Sequence, residues 1–395
     1  MHHTGSNAKM LRKLNCQLAM CVLLCTVQFL LPASSADPMY ECKLEKRQDE
    51  TVCVFHNVRY FANTTGVTFT APVSKVQHIA FEDSTLEIFP PELLNSFKDL
   101  RSLNVVSTNL SSVVIPAKLE RLYASNNRIS RVIVHQTRDS TTLQELMLDS
   151  NQLRDISNLT RLAKLETLNL SGNRDLPVDD TIDLGQFKGL DSLKYLLLTD
   201  IGMNYFENEH NVSLPSLTML DLSSNNLLTS SLEVKVFEPL QSLEILRIAY
   251  NRITDLDVLN LTKGNPNLKT IYLQGSHFQC DHQRLILEHL KKANVETPVD
   301  KNQSPCLLGF ETQDDMCCKS VAPGILPITT TTLKNNYHPT SSSVPVVPAV
   351  PTADPTAPTV AKSDDGKSVG PTVMLSNSCM LTAVTVATIT KLILF

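Results

Sequence analysis

The chain has 395 residues, room for two ordinary domains, and carries 35 Lys+Arg against 40 Asp+Glu for a net charge of −5. No basic stripe accompanies that balance, so nucleic acid is not expected as a partner. Tryptophan is absent, glycine is scarce, and the ten cysteines are clustered rather than scattered.

Residues 1–36 read as a secretory signal. Lys9, Arg12 and Lys13 form the positive end, and Leu14 to Leu31 is mostly apolar, diluted by Asn15, Gln17 and Gln28. Ser34-Ser35-Ala36 places small residues before a cleavage at Asp37. The alternative is an uncleaved membrane anchor. Cys16, Cys21 and Cys25 leave with the signal, and the remaining cysteines belong to an oxidising compartment and read as disulfides. Asn-x-Ser/Thr triplets at Asn63, Asn109, Asn158, Asn169, Asn211, Asn260 and Asn302 agree with a glycoprotein.

Residues 37–75 are expected to form an N-terminal cap. Cys42 and Cys53 flank a short segment there. A disulfide between them closes a loop of about a dozen residues, worth roughly 3 kcal/mol in the chain-entropy picture.

From 76 to 279 a pattern L-x-x-L-x-L-x-x-N-x-L recurs. Clean copies are Leu119-Leu122-Ala124-Asn127-Ile129, Leu143-Leu146-Leu148-Asn151-Leu153, Leu217-Leu220-Leu222-Asn225-Leu227 and Leu243-Leu246-Ile248-Asn251-Ile253. Leu165-Leu168-Leu170-Asn173 matches up to its asparagine, and looser copies start at Val76, Leu100, Leu193 and Leu268. The copies recur about every 24 residues, inside the range of leucine-rich repeats. In L-x-L both leucines point inward from a strand. The asparagine amide can bond the backbone of the neighbouring coil. Such a ladder is continuous only when copies stack. The expected fold is therefore an α/β solenoid, a leucine-rich-repeat horseshoe of about nine repeats with a concave parallel sheet. Ser84, Thr108, Ile201 and Ser276 occupy the asparagine slot in copies one, two, six and nine, where irregular coil is expected.

Residues 280–318 are expected to close the far end. Gln283 to Lys292 has a helical apolar pattern in Leu285, Ile286, Leu287 and Leu290. Cys280, Cys306, Cys317 and Cys318 allow three pairings. Either Cys280 and Cys306 each take one of the adjacent couple, or they pair together and leave that couple for another chain. A zinc site using Cys280, His282, Cys306 and Cys317 is the weaker reading in a secreted chain.

Residues 319–372 turn rich in Pro, Thr and Ser, and are expected to form a disordered stalk. Residues 373–395 end in an apolar run from Cys379 to Phe395 that contains Lys391. A glycosylphosphatidylinositol (GPI) signal is expected, with attachment candidates Asp364 and Ser376. A short membrane anchor and a simply secreted protein are the alternatives.

No catalytic pattern stands out: there is no G-x-S-x-G, no H-E-x-x-H and no Gly-rich phosphate loop. No enzyme activity, cofactor or metal is expected, and His78 reads as a solvated strand histidine. Function is expected on the concave face. Its earlier non-leucine positions include Asn104, Arg121, Tyr123, Glu145, Met147, Asp149 and Asn169; its later ones include Tyr195, Leu197, Met219, Asp221, Ile245, Arg247, Tyr250 and Tyr272. The later group, richer in tyrosine and exposed apolar side chains, resembles a protein-binding hot spot. Tyr123 and Met147 join it as the candidate partner surface. The alternative reading of Leu197, Met219 and Ile245 is scattered surface hydrophobes.

The layout resembles insect extracellular leucine-rich-repeat proteins, in particular the mosquito leucine-rich-repeat immune proteins. The likeness rests on Cys42…Cys53-Val54-Phe55-His56-Asn57-Val58, the repeats, Phe278-Gln279-Cys280-Asp281, and the double cysteine in Asp315-Met316-Cys317-Cys318-Lys319. It covers roughly 37 to 319. The resemblance implies innate immune recognition or scaffolding of a defence complex, in haemolymph or at the cell surface. It also implies a protein partner, either a complement-like thioester protein or another leucine-rich-repeat chain, and a disulfide-linked dimer. One departure matters: a proline-rich stalk stands where that family carries a coiled coil, which points to a coil-less or membrane-tethered type. Cell adhesion or co-receptor work in development is the competing function class.

Overall fold

The computed structural model describes residues 38–135, 137–299 and 306–320 of the chain. Every described residue belongs to one compact unit, Met1–Leu326. The expected signal, the stalk beyond residue 320, the apolar tail with Asp364 and Ser376, and the Asn302 triplet lie outside the described residues. Among the described residues no helix is long and apolar enough to cross a membrane.

One eleven-stranded sheet organises the described unit. A cap hairpin supplies β1 (Lys43–Arg47) and β2 (Glu50–His56), paired antiparallel. The nine repeats supply β3 (His78–Glu82), β4 (Ser102–Asn104), β5 (Arg121–Tyr123), β6 (Glu145–Met147), β7 (Thr167–Asn169), β8 (Tyr195–Leu197), β9 (Met219–Asp221), β10 (Ile245–Arg247) and β11 (Thr270–Tyr272). From β2 to β11 every pairing is parallel and follows chain order. The nine-copy horseshoe read from the leucine spacing is the fold observed.

The register aligns Ile79, Leu103, Leu122, Leu146, Leu168, Leu196, Leu220, Leu246 and Ile271 in one row, all essentially inaccessible to solvent. The asparagines lock successive coils. Asn151 Nδ2 donates to Leu148 O and to Ala124 O of the preceding copy, while its Oδ1 accepts from Ile129 N. Asn127, Asn173, Asn225 and Asn251 repeat this scheme. Five coils, those of copies two, three, four, six and seven, are thus gripped by the asparagine of the following copy.

The irregularity expected at Ser84, Thr108, Ile201 and Ser276 is not observed, although only Thr108 and Ile201 are held by the asparagine of the next copy. In all nine copies the residue before the asparagine slot is left-handed, with φ between 49 and 72°. Ser84 Oγ donates to Glu82 O and accepts from Val58 N. Thr108 Oγ1 donates to Val105 O, and Thr108 N donates to Asn127 Oδ1. Ile201 is simply buried, with its N–H held by Asn225 Oδ1. Ser276 keeps the path although its buried Oγ has no partner. The left-handed turn residues are Asp, Ser, Asn or Gly, which tolerate that region, with one exception. Tyr250 holds φ 56°, a conformation that costs a side chain with a Cβ about 1–2 kcal/mol.

The caps cover the two open ends. Cys42 and Cys53 are bonded as expected. Beyond covering the end, β2 behaves as an extra repeat: Phe55 packs against Phe69 and Phe81, and Asn57 takes the left-handed turn position. At the other end a helix spans Cys280–Lys292, starting three residues earlier than the apolar pattern suggests, and buries Ile286 and Leu290. Leu285 points away and is exposed, because an i, i+4 stripe admits only one face of the helix. Cys280 bonds Cys318 and Cys306 bonds Cys317. This is the internal arrangement; the one that joins Cys280 to Cys306 and leaves the adjacent couple for another chain is not adopted. It also removes the weighed zinc set, since its sulfurs are tied up. The cluster of Cys280, Glu311 and Cys318 is in the same position.

Candidate functional site: the inner face of the sheet

On either side of the buried leucine row, the strand residues flanking each leucine face the hollow of the horseshoe, because side chains alternate along a strand. Neighbouring strands lie about 4.8 Å apart, so the register turns these positions into two continuous rows. One row reads His78, Ser102, Arg121, Glu145, Thr167, Tyr195, Met219, Ile245 and Thr270. The other reads Ala80, Asn104, Tyr123, Met147, Asn169, Leu197, Asp221, Arg247 and Tyr272.

The first half pairs its charged groups at short range, although Arg121 Nε, like Arg247 Nε, is buried without a partner. Arg47 Nη2 lies 2.6 Å from both Glu45 Oε2 and Glu82 Oε1. His56 sits between the same two carboxylates at 3.6 and 3.8 Å. Arg121 Nη2 donates to both oxygens of Glu50, at 2.6 and 2.7 Å, and this bond holds the Glu50 carboxyl below the usual range. His78 Nδ1 is 3.5 Å from Glu50 and 3.3 Å from Arg121. Its side chain is only 17% exposed, and burial pushes its pKa down. The solvated histidine expected there is therefore a packed one, covered by the cap hairpin that β2 adds to the sheet. Tyr123 Oη donates to Glu145 at 2.7 Å, and burial raises its pKa above the tyrosine norm. Ser125 Oγ and Asn169 Nδ2 both donate to Asp149 Oδ1, at 2.6 and 3.1 Å, and burial raises the Asp149 carboxyl.

The second half is mostly uncharged. Thr167, Tyr195, Met219, Ile245 and Thr270 follow one another in the first row. Arg247 is the one cation of the later rows. Its guanidinium lies 4.5 Å from the Tyr272 ring centroid, and Nη1 is 3.5 Å from Asp221 Oδ2, much longer than the Arg47 and Arg121 pairs. Its Nε is buried without a partner.

The structure sharpens the expected partner surface. Tyr123, Met147, Tyr195, Ile245, Arg247 and Tyr272 are half-buried on the face. Leu197, Met219 and Asp221 are covered, at 5 to 6% exposure, so they are not the exposed side chains expected. Stacked neighbours shield the middle of each row, and Arg247 reaches toward Asp221. Tyr250 stands off the strands, in the left-handed turn after β10, and is 40% exposed. Its ring lies over Gly275, where a Cβ would collide with it. Glu45, Arg47, Glu50, His56 and Glu82 also front the face. The four cap residues fall outside the repeat pattern, so the hairpin reads from sequence as a cover; the alternation in Cys53-Val54-Phe55-His56 is the available signal, and Glu82 ends β3 opposite His56.

Of the triplet asparagines, Asn63, Asn109, Asn211 and Asn260 are exposed and Asn158 is half-buried. Asn169 lies within β7 and is 5% exposed, which removes it as an open acceptor in the folded chain.

These features define a capped leucine-rich-repeat solenoid, and comparisons with known proteins agree with that class. The leucine rich repeat family pattern matches residues 117–174. The chain is 25% identical to Tsukushi of Gallus gallus over 279 residues, 68% of this chain and 69% of that protein. It is 31% identical over 173 residues to Podocan-like protein 1 of Mus musculus, and 30% identical over 183 residues to Keratocan of Gallus gallus. These matches cover 42% and 45% of this chain, and less than half of either relative, 29% and 48%. Among solved structures, the APL1 leucine-rich repeat domain aligns with a TM-score of 0.44 at 19% identity, over 72% of this chain and 100% of that one. The LRIM1/APL1C complex aligns at 0.42 and 19% identity, over 72% of each chain.

Proposed function

We propose that the chain works outside the cell as a protein-binding leucine-rich-repeat protein, and that it binds through the second half of the inner face and not by catalysis. One observation carries this reading: the two halves differ in how far their polar groups are already used. Arg47 and Arg121 are closed by carboxylates at 2.6 Å. Arg247 has only a long contact to Asp221 and an aromatic neighbour, beside an uncharged run of side chains. Tyrosine and arginine around an apolar centre are what binding hot spots are made of. Three disulfides support an oxidising compartment.

The finer reading is innate immune recognition or scaffolding of a defence complex. It rests on the double cysteine and the flanking cap motifs, with a complement-like thioester protein or another leucine-rich-repeat chain as partner. Because the six described cysteines pair internally, such a complex forms without them. The second reading, adhesion or co-receptor work in development, rests on the apolar C-terminal run read as a GPI signal. Phospholipase C release of a tagged chain from intact cells tests the tether. Expression before and after infection separates the two roles: induction by infection favours the first, and stage-specific expression without induction favours the second.

A further inference from the structure

Seven triplets in the sequence invite N-glycans, and the structure does not treat them alike. Among the described triplets, Asn169 is the one on the inner face. Its Nδ2 donates to Asp149 Oδ1 at 3.1 Å and its Oδ1 accepts from Ser171 N at 3.0 Å. Asp149 Oδ1 also takes Ser125 Oγ at 2.6 Å, so the amide is the last link of a polar chain across three strands. In the sheet Asn169 is flanked by Met147 on β6 and Leu197 on β8. No space remains for a pyranose ring on Nδ2.

The other five described triplets sit elsewhere. Asn63 is in a cap loop and Asn109 follows the turn of copy two. Asn158 is in the 3-10 turn Ser157–Arg161, Asn211 is in a return loop, and Asn260 is in the outer helix Val258–Gly264. Asn63, Asn109, Asn158 and Asn211 spend no side-chain hydrogen bond, and Asn260 bonds only the exposed Asp257 next to it.

We propose that the folded protein carries N-linked glycans at Asn63, Asn109, Asn158, Asn211 and Asn260 and none at Asn169, so that sugar covers the outer and turn sides and the inner sheet stays bare. The transfer replaces one Nδ2 proton by a bond to C1 of an oligosaccharide, which leaves its lipid-diphosphate carrier; the released proton and the lipid diphosphate are the other products. Transfer acts on extended chain, so at Asn169 it competes with folding. A molecule modified there cannot close β7 against β6 and β8, and it drops out of the folded pool. This inference rests on the secretory reading.

The test uses the full chain secreted from insect cells, with the monodisperse fraction taken from a sizing column. Peptide N-glycosidase in oxygen-18 water converts each glycosylated asparagine to a labelled aspartate, read by peptide mass spectrometry. The expected result is label at the five sites and unlabelled asparagine at 169. Label at Asn169 in most of the folded fraction overturns the inference alone. Absence of label at every site overturns the secretory reading instead. Asn63→Gln, at an exposed loop position, should lose one glycan's mass and keep its melting temperature. Asn169→Gln should keep its glycan mass and melt several degrees lower. A mass loss in Asn169→Gln contradicts the proposal.

Discussion

Along the first strands of the inner face, charged side chains meet short partners: Arg47 with Glu45 and Glu82, Arg121 with Glu50, Tyr123 with Glu145. Along the last strands the same two rows carry Tyr195, Met219, Ile245 and Thr270, with Arg247 loosely held. The backbone does not distinguish these regions, since the leucine row and the left-handed turn run through both. A leucine-rich repeat therefore separates two kinds of information. The L and N positions encode the solenoid, and the variable strand positions decide whether a stretch of face closes on itself or stays open to a partner.

The largest expected effect treats the two halves alike. Leu146→Asp in the first half and Leu220→Asp in the second each put an ion into a fully buried row, at a cost of several kcal/mol, on the order of the whole stability of a domain. Neither variant should appear in the medium of expressing cells. Normal secretion of either would show that the two halves do not share one core.

Next come the two arginines, which should separate. Arg121→Ala strands Glu50 and His78 and should lower the unfolding free energy by about 1–2 kcal/mol, measured by urea titration. Arg247→Ala loses only a long ion pair and a ring contact, and should cost under about 1 kcal/mol. Equal losses would erase the contrast between a closed and an open half.

The smallest effect concerns Asp149, whose carboxyl is raised by burial. Its folded form releases its proton at higher pH than the unfolded chain, so it contributes stability that is present below the ordinary value of 3.8 and lost as pH rises through the folded value. Asp149→Asn keeps the acceptor for Ser125 and Asn169 without that loss. The stability of the variant relative to wild type should rise as pH climbs above 3.8, followed by thermal melts. A flat difference would mean that the Ser125–Asp149–Asn169 chain tolerates the charge at no cost.

Much of this was legible in the sequence. The leucine spacing specified nine parallel strands in order, and the asparagines specified the locks between coils. The copies lacking asparagine keep the path in ways no single repeat displays: Thr108 and Ile201 are held by the asparagine of the next copy, and Ser84 accepts from Val58 N of the preceding coil. On the face, alternation identifies which residues point inward, and Tyr195, Ile245, Arg247 and Tyr272 are where it places them. It does not report how far neighbours cover them, which is why Leu197, Met219 and Asp221 read as open. The cap hairpin was the other blind spot, since Glu50 reaches Arg121 from 71 residues away.

The central claim is that the second half of the inner face holds the partner. Two tagged variants of the secreted protein test it directly: Arg121→Ala with Glu145→Ala on the first half, and Ile245→Asp with Tyr272→Ala on the second. Both are compared with wild type in quantitative capture from the extracellular fluid of the source tissue. Partners retained by wild type and by the first variant, but lost at least tenfold by the second, are the predicted result. Loss confined to the first variant, or full retention by both, would contradict it.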